Sequence, residues 1–237
     1  TGPTGKPSRV ALTHASLSPA HRSLLWEGGA PRCGHVHLAP RPGQRHRRSV
    51  TVTDPFAEPR GIDPTPERTF WSVMVTGHRP QHLSAAEMAW SQVALHTAAW
   101  RLRSRYGMRE GISGFALGAD TWWSLAVLAS GADLAAYIPF EEQPRKWSES
   151  ERAMWAELRR RAAREVVVGG VEYDVRMLHA RNDAMLKDTA KADGLVVALF
   201  KPGTKGGTAS AVEKARGAQQ PLLLLNPVMR TLTREGW

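Results

Sequence analysis

The chain has 237 residues, 32 Lys and Arg against 22 Asp and Glu, a formal net charge of +10 and one cysteine. The lone Cys33 excludes an intramolecular disulfide and a thiolate metal cluster, and no apolar run approaches the roughly 20 residues of a membrane span. The basic balance favours polyanionic partners such as nucleic acid or nucleotides, and the length suffices for one sizeable domain plus extra segments.

Residues 1–68 are rich in Pro, Arg, His, Gly and Ser, hold 10 basic against 5 acidic residues, and show neither a helical nor a strand period. Such a composition buries too little apolar surface to offset chain entropy, so a disordered basic tail is expected. The run Gln44-Arg45-His46-Arg47-Arg48 reads as a solvated stretch that also offers contact to nucleic acid. His35 and His37 beside Cys33 lack a second cysteine pair, so no metal is assigned. The chain starts at Thr1 without a basic-then-apolar leader, which predicts a cytoplasmic protein and suggests a fragment or an extended reading frame.

From residue 69 the pattern alternates between short apolar runs and helical periods. A strand over 70–77 is followed by a helix over about 85–106, opened by the capping box Ser84-Ala85-Ala86-Glu87 and closed by Gly107. Residues 111–118 read as strand and turn, 121–130 as a short helix, and 134–140 as a third strand. A second capping box, Ser148-Glu149-Ser150-Glu151, opens a helix with Met154, Trp155, Leu158 and Ala162 on one face. A fourth strand at 165–168, a long helix over 173–189, a fifth strand at 194–200, a helix over 209–219 and a sixth strand at 221–225 follow. Strands that are apolar throughout and separated by helices imply a parallel sheet covered on both faces. The predicted fold is α/β, a Rossmann-like, doubly wound, mostly parallel sheet of about six strands over 69–230, with 231–237 left as a C-terminal tail.

In such sheets ligands bind beyond the carboxyl ends of the strands, and the polar signals fall there. The stretch from Ala192 through Gly203, Gly206 and Gly207 to Thr208 and Glu213 reads as strand, glycine-rich turn and helix, the geometry of an anion site. On the long helix, Asn182 interrupts a stripe of Leu178, Met185, Leu186 and Thr189, where a ligand or nearby backbone would satisfy its amide. Trp122 and Trp123 read as core packing.

Several of these stretches resemble the SLOG superfamily, which holds DprA-type DNA-processing proteins and the lonely-guy phosphoribohydrolases. The resemblance is closest to its YpsA-like branch, found in bacteria and phages. It rests on Val75-Thr76-Gly77-His78-Arg79-Pro80, on Ser113-Gly114-Phe115-Ala116-Leu117-Gly118-Ala119-Asp120, and on Pro139-Phe140-Glu141-Glu142-Gln143 with Trp147. Arg181-Asn182, Asp193 and Gly206-Gly207-Thr208-Ala209 complete the order over about 73–226.

The resemblance implies a nucleotide or nucleotide-derived ligand at the carboxyl edge of the sheet, near His78 and Asn182, with no further cofactor. Gly203, Gly206, Gly207 and Thr208 would hold phosphate, with Arg79 and Arg181 adding charge-assisted bonds. Gly77, Gly114 and Gly118 would allow close backbone approach, and Asp120 would accept from a ribose hydroxyl or cap its helix. The phosphoribohydrolases carry a catalytic Glu three residues after the Thr of this loop. Here that position is Ala211, and Glu213 lies two residues further on, rotated by about 200° around the helix.

A binding module that senses a nucleotide-like metabolite is therefore the leading expectation. The alternatives are a nucleotide N-glycosidase using Glu141, Glu142 or Asp120, and a DprA-like binder of single-stranded DNA. The resemblance also admits a homo-oligomer, and no membrane partner is expected.

Overall fold

The computed structural model describes residues 68–237. The expectations for residues 1–67, including the disordered basic tail and the group of Cys33, His35 and His37, lie outside the described residues.

In chain order the elements are β1 (Ser72–Gly77), α1 (Ala85–Arg105), β2 (Glu110–Ser113), α2 (Ala119–Ala129), β3 (Asp133–Ile138) and α3 (Glu149–Arg161). They continue as β4 (Arg164–Val167), α4 (Val175–Lys191), β5 (Leu195–Leu199), α5 (Gly207–Gly217), β6 (Leu222–Asn226) and β7 (Thr231–Glu235). Both capping boxes form, with Ser84 N donating to Glu87 Oε2 at 2.7 Å and Ser148 N to Glu151 Oε2 at 2.8 Å. The Asp174 side chain caps α4 by accepting from Arg176 N at 2.8 Å.

The sheet runs β4-β3-β2-β1-β5-β6-β7, parallel except for β7 against β6. Side chains alternate across it. Val73, Val75, Leu195, Val197 and Leu199 enter one core with residues of α1, α2 and α3, whereas Met74 and Val196 enter a second with Met185, Leu186, Ala211 and Ala215 of α4 and α5. Right-handed crossovers account for this division. The chain winds from β1 out to β4 with its helices on one face, returns through α4 to set β5 beside β1, and winds the other way with α5 on the opposite face. The winding therefore reverses between β1 and β5.

Two expectations are corrected. The sheet has seven strands, and residues 231–235 form β7 rather than a tail, with Leu232 beside Leu225. Trp237 fastens this end: its Nε1 donates to Leu222 O at 2.9 Å, and its ring lies edge-on to Phe70 at 4.9 Å. An edge strand carrying a single apolar residue leaves almost no alternation to read. On α3, Trp155 and Leu158 are buried as the pattern predicts, but Met154 is 41% exposed.

The opposite edge is held by charge. Arg164 of β4 makes two 2.9 Å bonds to Glu110 of β2 and a third to the Tyr137 hydroxyl, which donates to Asp188 of α4. Burial and the Asp188 carboxylate push the Tyr137 hydroxyl up to about 12, so it stays a donor. Among the described residues no helix is long and apolar enough to cross a membrane.

Candidate functional site

Where the winding reverses, the ends of β1 and β5 diverge and leave a cavity of about 280 Å³. Its lining comes from four separate stretches: Gly77, His78 and Arg79 after β1, Asp120 at the start of α2, Arg181 and Asn182 on α4, and Gly206, Gly207 and Thr208 at the start of α5. These nine residues are all among those the sequence singled out.

The start of α5 is open. Gly206 occupies the N-cap at φ 122°, and no side chain caps this end. The backbone N–H groups of the first turn therefore face the cavity without an intrahelical acceptor, with the partial positive charge of the helix behind them. Asn182 sits opposite. Its amide nitrogen would be 3.6 Å from a Cβ built on Gly207, and its side chain makes no hydrogen bond among the described residues. The expectation of an amide satisfied by nearby backbone is therefore replaced by one that faces the cavity.

Arg181 is 6% exposed, and its Nη1 donates to Asp120 Oδ2 at 3.1 Å. The same carboxylate oxygen accepts from Ala116 N at 3.2 Å. Burial pushes the Asp120 carboxyl up, and Arg181, the Ala116 N–H and Arg79 pull it back. The guanidinium remains a cation at neutral pH even though burial lowers its pKa. Its Nε is buried without a partner, a costly state that a ligand oxygen would relieve. Asp120 does not cap α2, whose N-cap is Gly118. It closes the loop back onto Ala116 and anchors Arg181.

His78 links the two halves of the site. Its carbonyl accepts from Ala119 N at the start of α2, and its Nε2 accepts from Lys201 N in the β5 exit loop at 3.0 Å. An imidazole accepting at Nε2 is neutral with its proton on Nδ1. Burial, with Lys201 and His82 nearby, holds its pKa below the ordinary histidine value. Lys201 in turn donates from Nζ to His82 O at 2.8 Å and to Glu87 Oε2 at 2.9 Å, tying the loop to α1.

Three glycines do other work than the sequence suggested. A Cβ on Gly114 would lie 1.2 Å from Arg181 Nη1, so this glycine makes room for the protein's own guanidinium. A Cβ on Gly118, at φ 93°, would lie 2.7 Å from His78 O and 2.9 Å from the Pro80 ring. Neither lines the cavity. Gly203, at φ 83°, lies at the exposed bend before the site, outside the lining. Gly77 does line the cavity, but its missing side chain also lets Ala119 pack against Leu199.

The candidate acids separate. Glu141 is paired with Arg159 at 2.7 Å, which holds its carboxyl below the usual range, and Glu142 with Arg145 at 2.8 Å. Neither reaches the cavity, where Asp120 is the sole carboxylate among the described lining residues. Ala211 is buried in the core and Glu213 is exposed, as the helical offset requires. Gln143 is also structural, donating to Gly114 O at 3.2 Å and accepting from Trp155 Nε1 at 3.3 Å. Trp123 is fully buried in the core, and Trp122 packs against it.

The sequence reading missed Lys205, His82 and His179, which also line the cavity. Lys205 was legible as a cation inside the glycine loop. His82 and His179 carry no local signal and arrive only through the fold.

Comparison with solved structures places the architecture. The Helicobacter pylori DNA processing protein A, described with its single-stranded DNA binding mode, superposes with a TM-score of 0.50 at 19% identity, over 70% of this chain and 69% of that one. The domain shares the α/β fold of that protein. The DprA of Streptococcus pneumoniae gives a TM-score of 0.47 at 16% identity, over 66% of this chain and half of its own. The molybdenum cofactor binding protein of Rippkaea orientalis gives 0.42 at 18%, over 68% and 78%. No protein-family model and no curated protein matches the chain.

Proposed function

We propose that this domain binds a nucleotide or nucleotide-derived ligand through its phosphate and acts as a sensor or effector module of the YpsA-like SLOG branch. The observation that carries this reading is the uncapped start of α5 at the reversal of the sheet, facing a wall on which Arg79, Arg181 and Lys205 outnumber Asp120. Free helix N–H groups, a buried guanidinium with an unpartnered Nε and an unpaired amide at Asn182 all seek the same oxygen-rich anion. General acid chemistry has little support, because Asp120 is committed to Arg181 and Ala116.

The test is a thermal shift or calorimetric titration with inorganic phosphate, nucleoside mono- and diphosphates, cyclic dinucleotides and ADP-ribose. A ligand at 100 times its dissociation constant adds about 2.7 kcal/mol of stability. Gly207→Asp sets a carboxylate where the anion would sit and should abolish the shift, because a Cβ there meets nothing closer than 3.6 Å. Absence of any shift across the panel overturns the reading.

A second reading, binding of single-stranded DNA, is supported by the fold shared with the H. pylori protein and by the net charge of +10. Affinity that falls steeply with salt and is lost in Gly207→Asp would favour it. Affinity indifferent to that substitution would assign the contact to surface charge away from the cavity.

A further inference from the structure

A second cavity, of about 570 Å³, adjoins the first, and the two share Arg79 and Leu178 in their linings. Its character is different. Phe140, Trp147 and Tyr173 supply aromatic surface, with the Tyr173 ring edge-on to Phe140 at 5.3 Å. Tyr173 is 69% exposed, so one side of its ring is open to a planar partner. Arg79 is exposed at the boundary, and its guanidinium has no hydrogen-bond or ion-pair partner among the described residues.

The first cavity by itself falls just below the roughly 300–1,000 Å³ typical of complete small-molecule sites, whereas the two together fall well inside that range. We propose that the ligand is bipartite, a diphosphate carrying a heteroaromatic base. Its terminal phosphate sits at the start of α5, its linking phosphate lies against Arg79, and its base stacks on Tyr173 in the second cavity. This rests on the phosphate reading above and adds where the rest of the ligand lies. The linings support it: helix N–H groups and cations line the first chamber, the second adds aromatic surface beside Glu142, Arg145, Lys146 and Glu172, and an unpaired guanidinium stands between them.

The experiment is calorimetry on the full chain with pyrophosphate and the four ribonucleoside diphosphates, repeated in Tyr173→Ala and Gly207→Asp. At least one nucleoside diphosphate should bind tenfold or more tightly than pyrophosphate, and Tyr173→Ala should erase most of that preference. Gly207→Asp should abolish binding of both. Trp147 fluorescence should respond to the nucleotides and not to pyrophosphate. If Tyr173→Ala leaves the preference intact while Gly207→Asp still abolishes binding, the base lies elsewhere and the bipartite assignment is overturned, with the phosphate site standing. If neither pyrophosphate nor any nucleotide binds, both readings fall together.

Discussion

The starts of α2 and α5 look alike in sequence and behave oppositely in the structure. Each follows a parallel strand, each has glycine at its N-cap at positive φ, and neither has a side-chain cap. At α2 the chain consumes its own donors: Ala119 N bonds to His78 O, Thr121 N to Ala116 O, and Asp120 Oδ2 turns back to Ala116 N. Ser113 ties the loop further, its Oγ accepting from Phe115 N and donating to Asp120 O. At α5 no such closure occurs, and the first turn opens onto the cavity. A glycine-rich strand-to-helix turn is therefore a site only where the neighbouring chain leaves it unfilled.

If that contrast is right, substitutions at the filled end should cost stability and those at the open end should cost binding. The largest effect is expected at Gly114→Ala, whose Cβ would displace the Arg181 guanidinium from Asp120. Breaking a buried ion pair typically costs about 3–5 kcal/mol, which urea denaturation would register. Gly118→Ala should follow at about 1–3 kcal/mol, because it combines a left-handed backbone with a contact on His78 O.

His78→Gln tests the link between the two ends and should cost about 1 kcal/mol for the lost bond to Lys201 N. It should also flatten the pH dependence. Burial depresses the His78 pKa below 6.5, so its contribution is complete above the unfolded value and is lost as pH falls from 6.5 through the folded value. Denaturation midpoints of wild type and variant should converge in that direction. The smallest effect on stability belongs to Gly207→Asp, within about 0.5 kcal/mol, since an acidic residue in the first turn suits the helix dipole. A loss of several kcal/mol there would show that the start of α5 is a structural joint like that of α2.

Most of the framework was readable from the chain. Uniformly apolar strands, two capping boxes and glycine stops defined five helices and six of the seven strands, because burial on both faces and helix capping leave local marks. β7 escaped because an exposed edge strand needs no pattern beyond its hydrogen bonds to β6. The site was readable as a set of loops, since parallel strands bring their carboxyl ends to one rim whatever their distance in sequence.

Function within that set was not readable. The sequence alone determined that Gly77, His78 and Thr208 would share a rim, because strand direction follows from the alternation of strand and helix, and the resemblance added Arg181 and Asn182. Only the tertiary structure decided that Arg181 belongs to Asp120, that Gly114 and Gly118 make room for the protein itself, and that Glu141 and Glu142 face other cations. Those outcomes depend on which side chain arrives first at a shared space, and that is settled by contacts between residues as much as 67 positions apart, as between Gly114 and Arg181.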